Sequence, residues 1–153
     1  MTEAHERVVE AQFGPRASAY VESAVHSQGA DLEAIGALAK NLRPALVLDL
    51  GAGGGHVSYV VARHAGRVIA TDLSSEMLAA VAETAREKGL TNIETAQAPA
   101  EQLPFEDETF DFVASRYSAH HWRDFEAGLR EARRALKRGG RAVFVDAYSP
   151  GQA

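Results

Sequence analysis

Apolar positions along the chain change their period near residue 45. Before that point the pattern is helical, over 17–27 and again over 31–42. In the second stretch Leu32, Ile35, Leu38, Ala39 and Leu42 recur at the spacing that places them on one helix face. After it the pattern shortens to runs. Ala45-Leu46-Val47-Leu48-Asp49-Leu50 is almost continuously apolar and ends at glycines, which is how a strand covered on both faces of a parallel sheet reads. Further strand candidates lie at 67–71, 92–96, 111–115 and 141–147, separated by helical stretches at 56–65, 75–88 and 124–137. Strands alternating with helices predict right-handed crossovers and an α/β, doubly wound, mostly parallel sheet. Sheets of that kind bind ligands beyond the carboxyl ends of their strands, so chemistry is sought there.

Composition narrows this picture. The chain has 153 residues, 46% of them hydrophobic and 24% charged, which suits one globular domain. A formal net charge of -5 supplies no field to collect phosphates, so nucleic acid is not the expected partner. The absence of cysteine removes disulfides, thiolate metal sites and cysteine nucleophiles, and fits a reducing, cytoplasmic location. The first ten residues do not read as a secretion signal, and nowhere do eighteen uncharged apolar residues follow one another, so no membrane span is expected.

The sharpest signal is Asp49-Leu50-Gly51-Ala52-Gly53-Gly54-Gly55-His56, where the first predicted strand turns into a helix. Glycines at alternate positions allow positive φ and let a ligand approach the main chain with no Cβ in the way. A dinucleotide fingerprint would require a third glycine at position 56, where this chain has His56; the spacing is G-x-G-x-G. Asp72 follows at the end of the second predicted strand, 21 positions after Gly51. A carboxylate there can accept hydrogen bonds from two ribose hydroxyls. The competing expectation is that Asp72 only caps the helix beginning near Ser75.

Five segments in order resemble the successive motifs of class I S-adenosylmethionine (SAM)-dependent methyltransferases. They are Asp49-Leu50-Gly51-Ala52-Gly53-Gly54-Gly55, Asp72-Leu73-Ser74-Ser75-Glu76-Met77-Leu78, Ala100-Glu101-Gln102-Leu103-Pro104-Phe105, Phe110-Asp111-Phe112-Val113 and Leu136-Lys137-Arg138-Gly139-Gly140-Arg141. Within that family the chain is similar to the small-molecule group that includes the ubiquinone/menaquinone-biosynthesis C-methyltransferases.

The resemblance implies a Rossmann-like sheet of strand order 3-2-1-4-5, with residues 1–43 as a helical lid segment and 44–153 as the SAM-binding core. It implies that Gly51, Gly53 and Gly55 line the methionine and ribose portion of SAM, with Asp49 near the amino group and Asp72 on the ribose. Leu73 and Met77 would flank the adenine, and Ala100 would offer its backbone amide to the ring, with Glu101 beside it. Pro99 stands where the family often has Asp, which removes a polar contact on the adenine side. Ser115, Arg116 and Tyr117 would run along the methionine moiety, with His120, His121 and Trp122 on the rim facing the acceptor. Phe13 and Tyr20 match an aromatic segment that covers the cofactor in relatives.

Transfer from a sulfonium needs little acid–base help, so the expected chemistry is in-line methyl transfer to a small-molecule acceptor, yielding S-adenosylhomocysteine (SAH). His120 or His121 is the available base if the acceptor must lose a proton. One of the pair packing with Trp122 against the sheet while the other faces water is the equally weighted expectation. No metal is expected, because adjacent histidines diverge and no third ligand stands at a recognised spacing. The stretch Arg130-Glu131-Ala132-Arg133-Arg134 is expected to be a solvated helix face. The chain ends just after the fifth predicted strand, so the family's usual sixth and seventh strands are expected to be absent. Val143-Phe144-Val145 would then lie on an uncovered edge, which invites a homo-oligomer. A SAM-binding module without activity and an NAD-dependent oxidoreductase are the alternatives. His56 and the lack of a Tyr-x-x-x-Lys pair speak against the second.

Overall fold

The computed structural model describes residues 5–12, 20–25 and 29–148. Its elements are β1 (His5–Gln12), β2 (Tyr20–Val25), α1 (Ala30–Leu42), β3 (Leu46–Leu50), α2 (His56–Ala62), β4 (Arg67–Asp72), α3 (Ser75–Glu87), β5 (Ile93–Gln97), β6 (Phe110–Arg116), a 3-10 turn (Ala119–His121), α4 (Phe125–Ala135) and β7 (Leu136–Tyr148). Every strand and helix expected from residue 31 onward is present, with boundaries displaced by a few residues. One sheet of order β2-β1-β7-β6-β3-β4-β5 carries them. From β5 to β7 the ladders are parallel, and the order β5-β4-β3-β6-β7 is the expected 3-2-1-4-5.

Alternation along the strands divides the core. Val47 of β3 and Phe112 and Ala114 of β6 face α1 and α2, meeting Ile35, Ala39, Val57 and Val61. Leu48, Leu50 and Val113 point the other way and are covered by Ala132 and Ala135 of α4 with Leu103. Two buried faces explain why these strands read as unbroken apolar runs. Among the described residues no helix is long and apolar enough to cross a membrane.

Three expectations are corrected. The helix expected over 17–27 is replaced where the chain is described, because residues 20–25 form β2, antiparallel to β1. Tyr-Val-Glu-Ser-Ala-Val is rich in the aromatic and β-branched types that fit a pleated surface, and hairpin pairing satisfies its backbone donors. Tyr20 therefore stands in the outermost strand, with β1, β7 and β6 between it and β3, which does not place it over the glycine turn. Phe13 lies outside the described residues.

Next, the edge expected to lie open is paired. Val143, Phe144 and Val145 face Glu10, Val9 and Val8 of β1 in antiparallel register, so the basis for an oligomer through that edge is gone.

Finally, the Arg130–Arg134 stretch is not wholly a solvated face. Arg134 donates to the carbonyls of Phe105 (2.7 Å) and Leu103 (3.1 Å) and to Asp107 (2.8 Å) and Glu131 (2.7 Å), while Glu131 accepts the Leu103 amide (2.9 Å). The guanidinium fork thus pins the loop between β5 and β6 to α4. Its hydrogen bond holds the Glu131 carboxyl below the usual carboxylate range.

Candidate functional site

The carboxyl ends of β3, β4 and β6 converge on a cleft. β3 stops because Gly51 takes φ +71, and the turn then closes through the Gly55 amide on the Ala52 carbonyl (2.8 Å) and the Ala52 amide on the Thr71 carbonyl (2.7 Å). Gly53, at φ +52, has nothing within 4 Å of where a Cβ would stand, so bare main chain faces open space there.

Asp72 is turned toward this bare turn. Its Oδ2 accepts the Gly53 amide (2.8 Å) and its Oδ1 accepts the Ser74 amide (3.0 Å). The N-cap of α3 is Ser74, whose hydroxyl accepts the Met77 amide (3.1 Å), so capping is not Asp72's role. Each carboxylate oxygen has a second acceptor site, and two backbone donors fix the plane in which those sites lie.

Two cavities meet at this carboxylate. One, of about 360 Å³, is bounded by Asp49, Gly53, His56, Arg116 and Tyr117 among others. The other, of about 730 Å³, runs between Leu73, Pro99, Ala100 and Glu101 on one side and Trp122, Asp124 and Ala127 on the other. Both are bounded by Gly51, Asp72, Ser118 and His121, which form the neck between them.

Of the residues expected at the site, Asp49, Gly51, Gly53, Asp72, Leu73, Ala100, Glu101, Arg116, Tyr117, His121 and Trp122 all bound this cleft. Three do not. Gly55 is the N-cap of α2, Met77 lies on α3, and Ser115 is buried inside β6, its hydroxyl without a hydrogen-bond partner among the described residues. His120 belongs to the 3-10 turn, and its side chain lies outside the described residues.

Several contacts that shape the cleft had no sequence signal. Arg116 forms an ion pair with Asp31, which is fully buried in the first turn of α1, 85 positions away. Tyr117 holds φ +57, an uncommon conformation for a large residue, and its ring lies 4.5 Å from the Arg116 guanidinium carbon. Glu101 Oε2 accepts the amides of Arg123 (2.6 Å) and Asp124 (3.1 Å), which ties the two walls of the larger cavity together.

Asp49 is the buried carboxyl of the site. Its Oδ2 accepts the Ser58 hydroxyl (2.7 Å) and amide (3.1 Å). Burial nevertheless pushes its pKa up from the ordinary 3.8 to about 7, with the Ser58 bonds opposing and Asp72 adding to the rise. The folded chain then keeps this proton through a range where the unfolded chain has lost it. Stability from this group is accordingly highest below about pH 4 and declines as pH rises toward 7, by a total on the order of 4 kcal/mol. In Asp49→Asn the decline contributed by this group is absent, and chemical denaturation between pH 4 and 8 shows a flatter profile than wild type. An unchanged slope would contradict the assignment.

Comparison with known proteins agrees with this geometry. Residues 48–144 match the model of a methyltransferase domain family. The chain is 37% identical over 141 residues to the uncharacterised methyltransferase YcgJ of Bacillus subtilis, covering 92% of this chain and 56% of that protein. The crystal structure of YcgJ superposes with a TM-score of 0.69, covering 74% of this chain and 50% of that one. A ubiquinone/menaquinone biosynthesis C-methyltransferase, UbiE of Sinorhizobium fredii, is 38% identical over 104 residues, 65% of this chain and 40% of that protein. A SAM-dependent methyltransferase from Aquifex aeolicus superposes with a TM-score of 0.59 at 28% identity, covering 70% of this chain and 58% of that one. The chain thus spans about half the length of the relatives it matches. Strand order, glycine turn and family match agree, and the chain belongs to the SAM-dependent methyltransferase family.

Proposed function

We propose that this chain binds SAM across both cavities and transfers its methyl group to a small-molecule acceptor. The observation that carries the reading is the Asp72 carboxylate, held by the Gly53 and Ser74 amides at the neck where the cavities meet. A nucleoside whose ribose donates to that carboxylate would place its base toward Leu73, Pro99 and Ala100 and its amino-acid tail toward Asp49 and Arg116.

The open space over Gly53 and the two cavities fit such a molecule. Leu73, 66% exposed, offers an apolar face for a base to cover, and Ala100, to whose amide we assign the bond to the ring, bounds the same cavity. Gly55, Met77 and Ser115 bound neither cavity, so we assign them to the turn, the helix and the strand. Bound SAM supplies a methyl group on a cationic sulfur that is already a good leaving group. What the chain contributes is alignment and exclusion of water, worth roughly 7–11 kcal/mol at best. His121, on the neck, is the base for an acceptor that must lose a proton, with His120 beside it in the same turn. Tyr117 and Trp122 form the rim. We place the protein in the cytoplasm, where a chain without cysteine loses nothing to a reducing environment.

Calorimetric titration with SAH, SAM and NAD tests the cofactor assignment before any acceptor is known. SAH and SAM should bind with roughly micromolar affinity, about -8 kcal/mol. At a hundredfold excess over Kd the folded state gains about 2.7 kcal/mol, visible as a raised melting temperature. NAD should give no heat. Binding of NAD in preference to SAH would support the oxidoreductase alternative and overturn this reading.

A further inference from the structure

Ser118 is a neck residue with unusual placement. A Cβ built on Gly51 would stand 1.8 Å from Ser118 Oγ and 2.6 Å from its Cβ, so the serine side chain rests directly on the bare main chain of Gly51. What approaches Gly51 is this side chain, and the ligand-facing gap belongs to Gly53.

The Trp122 indole Nε1 donates to Ser118 Oγ at 2.9 Å. Indole is a donor only, so in this bond the serine hydroxyl must be the acceptor. Its own proton remains to be donated, and no protein acceptor for it is found among the described hydrogen bonds. Asp72, whose carboxylate only accepts when ionised, bounds the same neck. These two residues therefore present one acceptor group and one donor hydroxyl to whatever passes through the neck.

Resting on the cofactor assignment above, we propose that Ser118 is a ligand-binding residue whose hydroxyl, oriented by the Trp122 indole, donates to an oxygen of the bound nucleoside's ribose. A ribose carries both functions needed there, hydroxyls that donate to Asp72 and oxygens that accept from Ser118. Trp122 positions the hydroxyl and does not itself need to touch the ribose. It is held by rings on two sides, stacked on Phe125 at 5.8 Å and edge-on to Phe144 at 6.3 Å, so the donor N–H has a fixed direction.

Trp122 is also the chain's single tryptophan, which gives the test a spectroscopic readout independent of methyl transfer. SAH and adenosine are titrated against wild type, Ser118→Ala and Trp122→Phe, by calorimetry for all three and by tryptophan fluorescence for the first two. Ser118→Ala should weaken both ligands about five- to tenfold, the value of one neutral hydrogen bond. Its fluorescence should respond less to SAH than wild type does. Trp122→Phe keeps the ring and loses the donor, and should weaken SAH about two- to threefold.

Equal weakening of SAH and adenosine supports the ribose as the acceptor of the bond. Weakening of SAH alone would assign the hydroxyl to the amino-acid half and overturn the proposal. Wild-type affinity in Ser118→Ala overturns it while leaving the cofactor reading intact; absence of SAH binding in wild type overturns both. Should Ser118→Ala fail to fold, an unchanged SAH affinity in Trp122→Phe overturns the proposal.

Discussion

Asp72→Ala is expected to lower SAH affinity by about two orders of magnitude or more, since hydrogen bonds to a charged group contribute about 1.5–3 kcal/mol each and the proposed pose has two of them to the ribose. The loss has a second source. Without the carboxylate the Gly53 and Ser74 amides lose their shared partner, so the turn that faces the ligand is no longer held in plane. Asp72→Asn separates the two sources. Its amide can satisfy one of the two backbone donors and presents an N–H to the other, which should leave an intermediate affinity. A 2′-deoxy analogue of SAH completes the cycle, binding more weakly than SAH to wild type and equally with SAH to Asp72→Ala. If the alanine variant binds SAH as wild type does, the carboxylate is structural and the ribose lies elsewhere.

Arg116→Met is expected to be the most destabilising single change near the cleft. Asp31 is fully buried, and removing its guanidinium partner leaves a carboxylate in the interior without compensation, at a cost of about 3–5 kcal/mol. For a domain of this size that corresponds to a fall of roughly 10 °C in melting temperature. Replacing both partners, Asp31→Asn with Arg116→Met, should recover more than half of the loss, because the penalty belongs to the unpaired charge and not to the missing contact. A double variant no more stable than Arg116→Met would show that the guanidinium contributes through packing, with its stacking on Tyr117 the first place to look.

How legible these features were depended on the range of the interactions behind them. β3, β4 and β6 were readable because both their faces are buried, which writes the strand into local composition. The glycine turn and Asp72 were readable because a backbone that must curve and a carboxylate at a strand end leave signals at short spacing. The N-terminal hairpin was not readable. Residues 20–25 carry no clear two-residue alternation, and what makes them a strand is pairing with β1, which is itself held by β7 more than a hundred positions away.

The same limit applies inside the site. Arg116 was placed in the cleft by its position at the end of β6, but Asp31, which orients it, sits in a helix that reads as an ordinary amphipathic one. Ser118 is a common residue between more conspicuous neighbours, and only the fold brings it onto Gly51 and within reach of the Trp122 indole. Arg134 read as one charge in a solvated row because its carbonyl partners belong to a loop about thirty positions earlier.

Nitrogen–proton correlation spectra recorded during an SAH titration report where on the protein the ligand sits. Binding across the neck should give the largest amide shifts at Gly53, Gly54, Ser74 and Ala100, with the α1 surface around Ala34, Lys40 and Asn41 unmoved. Saturating SAH with no shift at Gly53 and Ser74, or with shifts confined to that α1 surface, would contradict it.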